Sequence, residues 1–114
     1  MHPIDDEVML HRPCFGEEDP LLLYALRSNH ANGRAPQGET DTLLAMAISM
    51  FSDAGAVRRL TRRRPDRLGT HLMTLILLPG FGICTSETGA PGHHSVWGTP
   101  QSLYECITDV RPLQ

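Results

Sequence analysis

Lysine is absent from this chain: all ten basic residues are arginines. A guanidinium stays charged at any working pH, so lysine-type Schiff-base and general-base chemistry are excluded. Aromatic residues are scarce at 5%, and Val and Ile are few beside Leu, Ala and Met. Strands favour β-branched and aromatic side chains, whereas straight and γ-branched ones keep their freedom in helices. That balance predicts a mostly α fold. The three cysteines, Cys14, Cys84 and Cys106, form no CxxC pair and are too odd and scattered a set for a disulfide framework. They read as buried small hydrophobes in a cytoplasmic or other reducing intracellular compartment. The opening residues Met1 to Glu7 are acidic and lack an apolar core, so no secretory signal is expected. Long hydrophobic runs are missing too. Leu68 to Cys84 comes nearest, but Pro79, Gly80 and Gly82 interrupt it, and a membrane span needs about 20 predominantly apolar residues. A buried core segment is expected there, with no membrane partner.

What is present fits one globular domain over residues 1–114, with enough apolar residues, 40% of the chain, for a core without staples. The pattern predicts a compact bundle of about four helices with long loops. Asp19-Pro20 opens the first, over about residues 20–30, with Asn32-Gly33 as its stop. Ile4 to His11 forms at most a weak turn or short helix. Residues 31–39 are a loop by composition. The strongest helix runs from Thr40-Asp41 to Arg64, carrying Leu43, Ala47, Met50, Ala54 and Val57 at i, i+3/i+4 spacing and a second row at Leu44, Ile48 and Phe51. Asp66 caps a third, with Leu68, Leu72, Leu75 and Ile76 in helical register. The alternative is an α+β fold with a small hairpin from residues 71–86, because short apolar runs cannot be assigned by periodicity alone. Residues 86–98 are turn-forming, and Thr99-Pro100 starts a last helix that stops at Pro112.

Charge is the most informative feature. Residues 1–57 hold nine acids and three arginines, whereas residues 58–67 hold Arg58, Arg59, Arg62, Arg63, Arg64 and Arg67 against Asp66 alone. On a helix, Arg58, Arg59, Arg62 and Arg63 share one side. Clustered guanidiniums repel one another unless an anion is near. Candidate anions are the chain's own acids (Asp5, Asp6, Glu7, Glu17, Glu18 and Asp19), nucleic-acid phosphate, or an acidic protein.

Other chemistry is thinner. His93-His94 with Cys84 or Cys106 has none of the short paired spacings of a zinc site, so no metal is expected. Cys84 with His93 or His94 could make a nucleophilic pair only if the fold brings them together. Pro79-Gly80-Phe81-Gly82 lacks the spacing and the lysine of a phosphate loop, so no cofactor is expected.

The first functional expectation is a non-enzymatic interaction or regulatory protein. It would self-associate as a homo-oligomer, or dock on a protein partner, through an apolar-then-basic helix over residues 40–64. Its interface would be Leu43, Leu44, Ala47, Met50, Phe51, Ala54 and Val57. The second is nucleic-acid binding through Arg58, Arg59, Arg62, Arg63, Arg64 and Arg67. The third is a small Cys/His enzyme.

Overall fold

The computed structural model describes residues 2–27 and 46–113, and they form a sheet rather than a bundle. The elements are β1 (His2–Pro3), β2 (Val8–Cys14), α1 (Asp19–Ala25), β3 (Ile48–Phe51), α2 (Ala54–Arg63), α3 (Pro65–Leu68), β4 (His71–Leu77), β5 (Cys84–Glu87), β6 (His93–Trp97), α4 (Pro100–Tyr104) and β7 (Ile107–Pro112). Seven strands lie in the order β1-β5-β6-β3-β2-β4-β7, every neighbour antiparallel. The mostly α expectation is overturned, and "alpha-helical" does not describe this protein.

The reason is visible strand by strand. In β4, Met73, Leu75 and Leu77 are fully buried, an i, i+2 stripe. The same run also satisfies helical spacing, and here pairing with β2 on one side and β7 on the other decides between them. Gly69 prevents any helical continuation from α3 into β4. Its φ is +138°, and a Cβ there would lie 2.5 Å from the Cys14 carbonyl oxygen. The alternative hairpin over residues 71–86 is corrected as well: both strands exist, but β4 pairs with β2 and β7, while β5 pairs with β6 and β1.

The expected long helix over residues 40–64 is also corrected. Residues 40–45, with Leu43 and Leu44, lie outside the described residues. Ile48 to Phe51 is strand β3, paired along its length with β6. Only Ala54 to Arg63 is helical, and it begins anew at Asp53, whose carboxylate accepts from the Gly55 N–H at 2.9 Å. Ile4 to His11 runs into β2, and the C-terminal helix shortens to α4 before β7. The start at Thr99 is as expected: its hydroxyl accepts from the Ser102 N–H at 3.1 Å.

Residues paired across antiparallel strands share a face. Leu10 opposite Leu75, Arg12 opposite Met73 and Ile48 opposite Val96 therefore define one side of the sheet. There Leu22, Ala25 and Leu26 around the end of α1 and Leu103 of α4 close the main core with Leu10, Met50, Met73 and Leu77. The other face carries His11, Thr74 and Phe51. It receives α2, whose Val57 and Thr61 are buried against it while Arg59, Arg62 and Arg63 are exposed.

No helix among the described residues is long and apolar enough to cross a membrane.

Candidate anion-binding site

Helix α2 is two-sided by construction. Val57 and Thr61, at i, i+4, face the sheet, and Thr61 satisfies its hydroxyl within the helix by donating to the Val57 carbonyl at 2.9 Å. The remaining positions carry Arg58, half-buried, and Arg59, Arg62 and Arg63, exposed. Arg64 follows at the C-cap, exposed. Arg62 and Arg63 in the last turn gain from the negative end of the helix dipole. That explains how the helix tolerates two cations; it does not neutralise five.

Among the described residues, one α2 arginine meets a carboxylate: Arg59, 3.6 Å from Asp53, both largely exposed. Exposed pairs of this kind are worth about 0–1 kcal/mol. The acids before and at the start of α1 do not fold over the patch. Glu17, Glu18 and Asp19 stand at the start of α1, across the sheet, and Asp19 instead accepts from the Tyr104 hydroxyl at 2.6 Å. Asp5, Asp6 and Glu7 lie exposed between β1 and β2, with no ion pair to the arginines. The sheet thus separates an acidic helix from a basic one. Among the described residues, the exposed Asp53 is the one carboxylate in an ion pair with the α2 arginines.

Beside this helix the surface is concave. A cleft of about 650 Å³ is lined by Arg58, Thr61 and Arg62 of α2, by Gly69, Thr70 and His71 leading into β4, and by Pro112 and Leu113 at the end of β7. Its far wall is held by backbone bonds: the Thr70 N–H donates to the Cys14 carbonyl at 2.9 Å, and the Leu113 N–H to the Thr70 carbonyl at 3.1 Å. The Thr70 hydroxyl lies 2.8 Å from His71 Nδ1. No family model, characterised protein or solved structure matches this chain. Function has to be read from this geometry.

The arginines read from the sequence therefore fall into two rows. Arg58 and Arg62 line the cleft; Arg59 and Arg63 face open solvent along the next ridge. Arg67 belongs to α3, and its side chain lies outside the described residues. The expected apolar interface does not form one surface. Met50 and Val57 are fully buried on opposite sides of the sheet, Ala47 and Ala54 are half-buried, and Phe51 packs edge-on against His93 with ring centroids 5.2 Å apart. Over residues 46–64, the described part of the expected docking helix, there is neither a continuous helix nor a single apolar face.

The structure does not bring the proposed thiol pair together. Cys84 sits opposite Trp97 across β5 and β6, whereas His94 is opposite Glu87 and His93 opposite Phe51. His93 is thus four strand residues from Cys84's partner, about 13 Å at 3.3 Å per residue. His93 Nδ1 is already occupied, 2.8 Å from the Thr88 carbonyl. No cluster of three His, Cys, Asp or Glu able to hold a metal occurs among the described residues.

Several residues that shape this region carried no sequence signal. Asp53 is the cap of α2, and Thr70, His71, Pro112 and Leu113 are ordinary residues made neighbours by the pairing of β4 with β7. Arg12 was counted only as a charge, yet its guanidinium donates to the Ala25 carbonyl and, at 2.6 Å, to the Ser49 carbonyl. Burial lowers its pKa to about 10, so it remains a cation at neutral pH.

Proposed function

We propose that this protein binds nucleic acid through its phosphate backbone, with helix α2 as the contacting element. The observation that carries this is the cluster of five arginine side chains at positions 58, 59, 62, 63 and 64, which has a single exposed carboxylate partner among the described residues. Guanidinium forks match phosphate oxygens, and a basic stripe on one face is the electrostatic footprint of such binding. The contacts are phosphate-directed, so binding is largely indifferent to base sequence. The chain outside residues 58–67 is acidic overall, which disfavours phosphate binding away from this cluster. Three free thiols fit a reducing intracellular compartment.

Fluorescence anisotropy with labelled single-stranded and duplex oligonucleotides tests the reading. Binding is expected at low salt and should weaken steeply as salt rises. Four phosphate contacts give a slope of log K against log salt of about −3 to −4. Replacing Arg58, Arg59, Arg62 and Arg63 together by Gln should abolish binding while leaving the far-UV spectrum intact. Undiminished binding by that variant, or no binding by the native protein at low salt, overturns it.

A further inference from the structure

Resting on the nucleic-acid reading, we infer that the cleft between α2 and the β4/β7 strand ends is a subsite for a terminal phosphomonoester. The two rows of arginines differ in a way that bears on ligand class. Arg59 and Arg63 lie on an open ridge, where a continuous backbone can run past. Arg58 and Arg62 line a concavity closed on its far side by Thr70, His71, Pro112 and Leu113. An internal phosphodiester must lead chain both in and out of such a space, whereas a chain end enters once, so the concavity favours an end.

Size and chemistry agree with that assignment. The 650 Å³ volume lies in the range of about 300–1,000 Å³ usual for small-molecule sites. Arg58 and Arg62 are one helical turn apart, about 5–6 Å between Cβ atoms, so both can reach a single phosphate group. A phosphomonoester carries about −1.5 to −2 charges near neutral pH, against one for a diester, and so rewards two guanidiniums at one point. The Thr70 hydroxyl and the His71 ring supply further polar groups on the opposite wall. Pro112 and Leu113 offer apolar surface for a sugar or base.

The test compares single-stranded oligonucleotides of one sequence, labelled internally, that end in hydroxyls, in a 5′-phosphate or in a 3′-phosphate. Adenosine monophosphate and adenosine serve as mononucleotide competitors. The expected result is about tenfold or tighter binding of one phosphorylated end over the hydroxyl form, a difference of about 1.4 kcal/mol. Arg58→Ala/Arg62→Ala should erase that preference. Arg59→Ala/Arg63→Ala should weaken all the oligonucleotides alike and keep the preference.

Equal binding of all ends by the native protein overturns the subsite and leaves the backbone reading standing. Binding of adenosine monophosphate with no binding of any oligonucleotide does the reverse: the cleft is retained and the nucleic-acid reading falls. Binding of none removes both. The comparison of ends is made on the native protein, so the inference stays falsifiable even if a variant fails to fold.

Discussion

Arg12 shows how one side chain can hold distant parts of a chain together. It projects from β2 on the core side and caps two backbone carbonyls, one at the end of α1 and one in β3, which flank the stretch from residue 26 to residue 48. A guanidinium fork can serve both at once; a methyl group can serve neither. Arg12→Ala should therefore cost about 2–3 kcal/mol, read from urea melts, because two carbonyls lose a charged donor. A loss within experimental error would mean water replaces the fork without penalty. His11, the next residue back, faces α2 instead. Its Nδ1 lies 2.9 Å from the Thr74 hydroxyl. Burial holds its pKa below the ordinary 6.5; the Asp53 carboxylate partly offsets this, and the Arg58 guanidinium adds to it. Just below pH 6.5 the unfolded chain thus binds more protons at this site than the folded one. Stability rises with pH through that window and is lost on acidification. His11→Gln should flatten that part of the pH–stability curve. An unchanged slope would show that His11 is not its source.

Among the elements, α2 combines a weak local sequence with strong placement. Gly55 sits in its first turn, and eight of its ten residues, all but Val57 and Thr61, are not buried. What holds it is the Asp53 cap at one end and the Val57–Thr61 stripe against the sheet. Asp53→Ala should cost about 1 kcal/mol, the usual value of an N-cap. Asp53→Asn keeps the cap and should recover most of that stability although it removes the Arg59 pair, because exposed ion pairs contribute little. Thermal unfolding of the two variants separates cap from ion pair. Equal losses in both would assign the stabilisation to charge. The strand β4 makes the complementary point: its residues are not strong strand formers, and its neighbours on both sides decide its conformation.

At the scale of the molecule the sheet is assembled from distant parts of the chain. β1 pairs with β5 across eighty-odd positions (His2 with Thr85), and β2 pairs with β4 through His11 and Thr74. Non-local pairing of this kind incurs loop-closure entropy before its contacts form, so refolding should take milliseconds to seconds. Stopped-flow fluorescence of Trp97, the sole tryptophan, measures it directly. Complete recovery within microseconds would contradict the topology. The same sheet acts as an electrostatic partition, with the acidic start of α1 on one side and the arginines of α2 on the other. That partition keeps the acids at the start of α1 from neutralising the cluster.

Some of this was legible in the residues alone. The arginine cluster and its grouping on a helix, the lack of lysine chemistry, the Thr99 cap, the break at Pro79-Gly80 and the buried character of Cys14 and Cys106 all follow from local chemistry, which needs no partner. Fold class did not, because short Leu- and Met-rich runs such as His71 to Leu77 fit a helix and a buried strand equally well until a neighbouring strand supplies hydrogen bonds. Neither did the fate of Ile48 to Phe51, whose helical spacing was overridden by pairing with β6. The cleft could not be read at all: Thr70, His71, Pro112 and Leu113 meet Arg58 and Arg62 only because β4 and β7 end side by side under α2. Sequence carries charge and caps one residue at a time, while a concave site is a property of surfaces that only long-range pairing brings together.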